Sequence, residues 1–257
     1  MQNIFNLIAA VLIAVAVFFG AGSLWARGLP ATALRIAAPL TALTGLTIGV
    51  QIHGWVTGLD ATSTKWLQSH GTSEFDWAAW VITRLSSPVA TAAAGVTCAA
   101  LLSWRARSVV HGVVVIGTVT GAIVVETILK AMVARPPTPQ ELRSLSDYLY
   151  PDGQSFPSGH VTAAAALLGI IAVCAGQGRS RTTRALLAGL VVAAVLSVAV
   201  IRIYIGAHWL SDVIGGAVLG ALSVALGAAA ITAFHTRSGE KLRTRGRSGS
   251  AAPATTR

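Results

Sequence analysis

Long apolar segments alternate with short polar ones along almost the whole chain. Each apolar segment is close to the length that a helix needs to cross a bilayer, roughly 20 residues at about 1.5 Å per residue. The segments lack the period of two that is typical of strands in a membrane barrel, so helices are predicted. Seven such helices are predicted, approximately at residues 4–24, 36–55, 85–104, 108–129, 161–175, 185–201 and 213–234.

The composition indicates a protein whose solvent is largely lipid. Hydrophobic residues make up 54% of the chain and charged residues only 11%, against about 25% charged residues in ordinary soluble proteins. A disordered chain, a disulfide scaffold and a conventional cytosolic enzyme are excluded on these grounds. Cys98 and Cys174 both lie inside apolar segments, where they are predicted to act as small buried hydrophobes.

The formal net charge of +10 would suit a nucleic-acid-binding protein, but the positions of the basic residues favour a membrane topology. Thirteen of the 19 basic residues lie in short connections or in the tail, as the positive-inside rule describes for cytoplasmic segments. The predicted topology therefore has an outer amino terminus and an inner carboxyl terminus. The predicted outer loops are 56–84, 130–160 and 202–212.

Three further features complete the predicted organisation. The first apolar segment lacks a basic start and a small-residue cleavage site, so it is predicted to be a retained helix rather than a signal peptide. The loop at 56–84 is predicted to form short helices whose tryptophans pack at the membrane interface, rather than contact substrate. The tail from Arg237 is rich in Gly, Ser, Arg and Thr and is predicted to be disordered.

Polar residues that suit reaction chemistry gather on the predicted outer side. Lys130, Arg135 and Arg202 lie at the ends of membrane segments, where charge is costly and usually functional. His160 and His208 share that side with them. Cations can neutralise the oxygens of a tetrahedral anion while histidines attack or move protons. An anionic, phosphate-like substrate is therefore predicted.

Two local stretches sharpen this prediction. The sequence FPSGH at 156–160 has the start signals of a helix, whose free N–H groups form a seat for an anion. The alternative is a helix cap with an incidental histidine. His208 and Asp212 are spaced i, i+4, so the carboxylate can accept the Nδ1 proton and leave Nε2 nucleophilic. The alternative is a surface ion pair, with Arg202 as an interfacial anchor. The residues alone favour His208 as the nucleophile without deciding between the two histidines.

Together these stretches resemble the type 2 phosphatidic acid phosphatase family, which is related to the vanadium haloperoxidases. Its motifs are Lys-x6-Arg-Pro, Pro-Ser-Gly-His and Ser-Arg-x5-His-x3-Asp. The second motif is complete at 157–160, and the third is retained at Arg202, His208 and Asp212 with Ile201 in place of serine.

The first motif departs further from the family pattern. Lys130 is present, but Pro137 occupies the position of the family arginine, and Arg135 is the nearest arginine. Arg135 would either reach the phosphate from its proline-rich loop or only brace that loop. The resemblance covers roughly residues 33–235.

The resemblance implies an all-α fold, a polytopic membrane helical bundle. It would comprise an extra N-terminal transmembrane helix at 1–30, a six-helix phosphatase core at 31–236 and a basic cytoplasmic tail at 237–257.

The resemblance also implies a role for each motif residue. His208 would attack phosphorus, Asp212 would orient it, and His160 would protonate the leaving oxygen and then activate water. The phosphate oxygens would be held by Lys130, Arg135, Ser158, Gly159 and Arg202. Fixed cations would replace a metal, so no metal or other cofactor is expected. Glu126, one turn before Lys130, is predicted to pair with it.

The implied function is a cell-membrane lipid phosphatase with its site on the extracytoplasmic side. Its substrate would be a lipid phosphate monoester or diphosphate, such as undecaprenyl or another polyprenyl diphosphate, phosphatidic acid or phosphatidylglycerol phosphate. The expected partners are this substrate and the bilayer, without nucleic acid. A phosphotransferase with the same site is the alternative. An anion transporter is less favoured, because the sequence shows no inverted repeat.

Overall fold

The computed structural model describes residues 2–25, 28–143 and 153–249, and the regular structure within these ranges is helical. This confirms the predicted all-α membrane bundle. The helices are α1 (Gln2–Trp25), α2 (Leu29–Gln51), α3 (Asp60–Ser69), α4 (Ser73–Leu85), α5 (Pro88–Ala106), α6 (Val109–Val133), α7 (Gly159–Ala175), α8 (Arg181–Tyr204) and α9 (Leu210–Gly249).

Seven of these helices correspond to the seven predicted membrane segments. Six are long and apolar enough to cross a bilayer, and α7 is a shorter apolar helix of 17 residues. Helix α8 extends beyond its predicted range at both ends. It begins earlier because Ser180 caps its first turn by accepting a hydrogen bond from the Thr183 amide at 3.1 Å. Capping chemistry therefore fixes an end that hydropathy alone places too late.

Contacts between helix ends bring the three motifs to one side of the bundle. The amide of Ser158, just before α7, donates to the carbonyl of Asp212 in the first turn of α9 at 3.0 Å. The end of α6 also lies beside the start of α7, because a Cβ placed on Gly159 would lie 3.7 Å from Lys130 Nζ. Helix α8 ends beside them, and a tight turn connects it to α9. We call this side of the bundle the motif face.

The loop between α2 and α5 contains the two short helices that the sequence predicts. They pack on the end of α8 through Tyr204, whose hydroxyl donates to Asp76 at 2.6 Å and whose ring meets Phe75 edge-on at 4.7 Å. Trp66 and Trp77 remain exposed on these helices. Exposed tryptophans at the end of a membrane bundle are typical of an interfacial layer.

The predicted disordered tail differs from the structure over most of its length, because α9 continues as a helix to Gly249. Its Arg, Lys, Glu and Leu residues are good helix formers, and extending an existing helix carries no nucleation cost. Residues 250–257 lie outside the described residues. At the other end of the chain, α1 packs against α2, and Gly45 gives room for the carbonyl of Ala9.

Glycine permits a very close helix contact between α7 and α9. A Cβ at Gly220 would lie 2.4 Å from Ala165 Cβ and 3.1 Å from the Ala166 amide nitrogen. Small residues allow membrane helices to approach in this way. The contact sets how close the start of α9 lies to the motif at the start of α7.

We predict that Gly220→Ala destabilises the protein by about 1–3 kcal/mol, because the added methyl group meets backbone atoms that cannot move aside. Gly121→Ala is the matched control, since its Cβ would have no neighbour within 4 Å. The control should be neutral or slightly stabilising. Thermal unfolding in detergent would measure both variants, and equal unfolding temperatures would contradict the predicted close contact.

Candidate active site

A cavity of about 540 Å³ lies on the motif face between α5, α6, α7 and α8. Its walls contain members of all three sequence motifs, together with both histidines of the predicted site. The lining residues are Ser86, Thr91, Ile123, Glu126, Thr127, Lys130, Ala131, Arg143, Gly153, Gln154, Gly159, His160, Ala163, Arg202, Ala207 and His208. The structure thus brings Lys130, Gly159, His160, Arg202 and His208 to one cavity.

Lys130 is held at this cavity by the predicted pair with Glu126. Its Nζ lies 2.6 Å from Glu126 Oε1, and the carboxylate is buried. Both groups press against the start of α7, because a Cβ at Gly159 would lie 2.9 Å from Glu126 Oε1. Gly159 is therefore the residue that lets the lysine approach the first turn of α7. The ion pair offsets the cost of a charge inside the bundle.

The second motif forms the turn that starts α7. Ser158 is fully buried, and its hydroxyl has no hydrogen-bond partner among the described residues. A buried donor without a protein partner is uncommon and is usually satisfied by a ligand or water. His160 lies in the first turn of α7 and lines the cavity together with Lys130, Arg202 and His208. This end of the helix combines free amides, a hydroxyl and cations, as an anion seat requires.

His208 lies in the turn between α8 and α9 and is oriented by the backbone. Its Nδ1 lies 3.0 Å from the carbonyl oxygen of Ser155 and 3.6 Å from Asp212 Oδ2. The predicted Asp212 acceptor is therefore the more distant one. A carbonyl can only accept, so Nδ1 donates its proton and Nε2 of the neutral ring is left with a lone pair. Burial lowers the pKa of His208 from its ordinary value of 6.5, with Arg202 acting in the same direction and Asp212 opposing it.

Asp212 is fully buried and is shared between a helix cap and an ion pair. Asp212 is the third residue of α9, and its Oδ2 accepts a hydrogen bond from the amide of Trp209, the residue before the helix, at 3.0 Å. This bond is one of the two that make up a capping box. Asp212 Oδ1 lies 2.5 Å from Arg135 Nη1. The carboxylate thus fixes the turn that carries His208 and places a negative charge near the ring.

Arg135 has a different environment from the one predicted for it. Its Nη2 lies 2.7 Å from Asp60 Oδ2, and its Nη1 contacts both Asp212 and Ser211 Oγ, the latter at 2.7 Å. Both terminal nitrogens are therefore engaged by carboxylates, and Arg135 is not among the cavity-lining residues. Arg135 lies behind Asp212 within a buried network, an arrangement that favours the alternative in which it braces the loop. Its phosphate contact stays a prediction.

Asp60 is the member of this network that the sequence analysis missed. It is 4% exposed, and besides Arg135 it accepts the Ser211 amide and hydroxyl, each at 2.8 Å. It therefore joins the start of α3 to the start of α9. The available signal was a carboxylate in a predicted outer loop, on the side that also carries three cations, but its partner is 75 positions away.

Arg143 is a second missed residue, and it lines the cavity that Arg135 does not reach. Its Nε and Nη2 donate to the carbonyl of Thr138 at 3.2 and 2.9 Å. The segment from Thr138 to Arg143 is docked on the Gly206 turn, where a Cβ at Gly206 would overlap the Leu142 carbonyl. A basic residue retained in a predicted outer loop, against the positive-inside pattern, was the signal for it.

The donor set of the site consists of cations, hydroxyl and amide groups and imidazoles, which suits an anionic group. Within residues 2–25, 28–143 and 153–249, no three His, Cys, Asp or Glu side chains come close enough to bind one metal ion. The carboxylates near the cavity, Glu126 and Asp212, are each paired with a cation.

Comparisons with known proteins agree with this geometry. Residues 111–236, which contain all three motifs, match the model of the PAP2 superfamily. The fold is similar to the crystal structure of a transmembrane PAP2-type phosphatidylglycerolphosphate phosphatase from Bacillus subtilis, with a TM-score of 0.68 at 19% identity over 79% of this chain and 96% of that one. It is also similar to Aquifex aeolicus LpxE, with a TM-score of 0.50 at 21% identity over 66% and 94% of the two chains. Comparison with curated protein sequences gives no match.

We predict that Asp60→Asn destabilises the protein by about 1–3 kcal/mol, because it removes one of the two carboxylates that bind Arg135 and weakens the hydrogen bonds that Ser211 donates. Glu74→Gln is the matched control, since Glu74 is an exposed carboxylate at the start of α4. Thermal unfolding in detergent should separate the two variants. An unfolding temperature for Asp60→Asn equal to that of the control would show that the buried network carries little stability.

Proposed function

Because residues 111–236 match the PAP2 superfamily, we propose that this chain is an integral membrane phosphatase that removes phosphate from a lipid phosphate monoester or diphosphate. The observation that carries the proposal is the cavity that holds Lys130, Arg202, His160 and His208 at the start of α7. These groups are what in-line phosphoryl transfer needs: a nucleophile, a proton donor and fixed positive charge.

The proposed substrates are a polyprenyl diphosphate such as undecaprenyl diphosphate, phosphatidic acid and phosphatidylglycerol phosphate. Each has a terminal phosphate on a lipid whose hydrocarbon remains in the bilayer. The similarity to a phosphatidylglycerolphosphate phosphatase supports this class of substrate. The distribution of basic residues supports an extracytoplasmic motif face, since the short basic connections lie at the other ends of the helices.

In the proposed first step, Nε2 of His208 attacks phosphorus. A nitrogen–phosphorus bond forms as the bond between phosphorus and the bridging oxygen breaks, and His160 gives its proton to the departing oxygen. The lowered pKa of His208 supports its role, because the neutral ring then prevails at pH 7 and supplies the lone pair. The Ser155 carbonyl keeps that lone pair on Nε2.

In the second step, His160 accepts a proton from water, whose oxygen attacks phosphorus and displaces His208. Inorganic phosphate leaves and both histidines return to their starting states. Lys130, Arg202, the Ser158 hydroxyl and the Gly159 amide would hold the equatorial oxygens throughout. Asp212 would stabilise the positive charge that develops on the His208 ring, from its distance of 3.6 Å.

The third cation at the substrate oxygens is Arg143 in this proposal, and Arg135 is a positioning residue. Arg143 lines the cavity and is anchored to the Thr138 carbonyl, whereas Arg135 is bound by Asp60 and Asp212. Arg143 lies too far along the chain from Lys130 to align with the family arginine. Proximity in the fold, rather than spacing in the sequence, therefore supports its assignment.

We predict that purified protein releases phosphate from these lipids in the presence of EDTA and that His208→Ala lowers kcat by at least about a thousandfold. Phosphate release from a panel of lipid phosphates would measure both effects. An absolute requirement for Mg²⁺, or a fully active His208→Ala variant, would overturn the proposed mechanism. Acid-labile phosphate on wild-type protein, absent from His208→Ala, would identify the covalent intermediate.

We predict that Arg143→Ala lowers kcat/KM by roughly 10- to 1000-fold, because it removes a charge at the substrate oxygens. Arg84→Ala is the matched control, since Arg84 stacks on Trp80 at 5.5 Å and does not line the cavity. Arg143→Lys should retain part of the activity. If Arg143→Ala and Arg84→Ala are equally active, Arg143 does not contact the substrate.

A further inference from the structure

A second crevice of about 590 Å³ lies at the opposite end of the bundle from the catalytic cavity. Its walls come from α7, α8 and α9 and are made of small and aliphatic residues such as Ala172, Val191 and Val224. Two cations, Arg35 of α2 and Arg184 of α8, also line it. We call it the arginine crevice.

The two arginines have no protein counter-charge among the described residues. Within that part of the chain, neither side chain forms a hydrogen bond or an ion pair. Arg35 lies within the membrane-spanning helix α2, six residues and therefore about 9 Å from its start. A charge at such a depth is costly unless it faces a cavity and meets an opposite charge there.

The local charge balance makes this end of the bundle attractive to anions. Of the nine acidic residues of the chain, eight belong to segments 56–84, 126–160 and 202–212, the segments that carry or adjoin the motifs, and Glu240 is the exception. The turn between α7 and α8 and the start of α6 share the other end, since His111 Nε2 lies 3.2 Å from Gln177 Oε1. Carboxylates are therefore scarce around the basic residues of that end.

The shape of the crevice suits a molecule with one charged end and a long apolar part. Arg184 crosses the end of α7, where a Cβ at Gly176 would lie 3.2 Å from Arg184 Cγ. Beyond the arginines the walls are largely aliphatic, and they include Val192, which is exposed on α8. A free inorganic anion would contact only the arginines. A phospholipid would contact the arginines with its phosphate and the apolar walls with an acyl chain.

We propose that the arginine crevice binds one anionic phospholipid of the leaflet opposite the catalytic cavity. Arg35 and Arg184 contact its phosphate, and an acyl chain lies along the apolar walls between α8 and α9. Basic pockets between transmembrane helices recognise anionic head groups by this combination. The bound lipid neutralises Arg35 within its span. The proposal does not depend on the catalytic chemistry.

Native mass spectrometry of the detergent-purified full chain tests this proposal. Phosphatidylglycerol and phosphatidylcholine with the same acyl chains serve as probes, since both are phosphodiesters and only the first is anionic. Wild-type protein should retain one phosphatidylglycerol about tenfold more tightly than phosphatidylcholine. Equal retention of the two lipids would overturn the proposal.

Charge-matched variants locate the site. R35Q/R184Q should lose the preference, whereas R105Q/R107Q, which removes two charges at the turn between α5 and α6, should keep it. A preference that persists in R35Q/R184Q would place the lipid elsewhere, including the catalytic cavity, and would overturn the proposal. Should the double variant not fold, the single Arg184→Gln variant must reduce the preference at least about threefold.

Two further measurements distinguish loss of the lipid site from loss of the catalytic activity, and test whether the apolar walls contribute to lipid binding. Phosphate release by R35Q/R184Q shows whether the catalytic cavity is intact, so a failure of the lipid site is distinguishable from a failure of the proposed activity. An excess of sn-glycerol 3-phosphate should not displace the bound lipid, because it lacks an acyl chain. Complete displacement would show that the apolar walls contribute nothing and would overturn the proposal.

Discussion

A buried ion network connects three distant parts of the chain, and the geometry of the catalytic cavity depends on it. Arg135 lies between Asp60 and Asp212, so one guanidinium holds the start of α3, the segment after α6 and the start of α9 together. Removing Arg135 would leave two buried carboxylates without their shared cation, which costs far more than a surface pair contributes. The network therefore constrains the turn that carries His208 even though it does not line the cavity.

The cavity itself collects like charges that repel one another. Lys130, Arg143 and Arg202 all line it, and Glu126 pairs with the first of them. The amide-rich start of α7 adds further positive potential. The fold compensates for part of the repulsion with the Glu126 carboxylate and with carbonyls such as that of Thr138. In the proposed function, the doubly charged phosphate of the substrate would relieve the rest of this repulsion.

Much of this structure was accessible from the sequence because it depends on local pattern. Hydropathy locates all seven apolar helices, and the i, i+4 spacing of Glu126 and Lys130 predicts their ion pair. The sequence is least informative where residues distant along the chain meet. Spacing makes Arg135 the substitute for the missing arginine at Pro137, yet Asp60 binds it from 75 positions away, and Arg143 lines the cavity instead. The acceptor for His208 is likewise a backbone carbonyl, which side-chain patterns do not reveal.

The two ends of the bundle use positive charge in different ways. At the motif face, Lys130 and Arg135 are paired with buried carboxylates that fix their positions, as phosphoryl transfer requires of groups that must be preorganised. At the other end, Arg35 and Arg184 lie beside hydrocarbon without a protein carboxylate within reach among the described residues. Cations that protein carboxylates hold in place suit catalysis, because the substrate must bind and its product must then dissociate. Cations without a protein carboxylate suit the proposed phospholipid, which neutralises them and remains bound. The segregation of acidic residues toward the motif-bearing segments thus separates a reactive site from an anchoring site within one helical bundle.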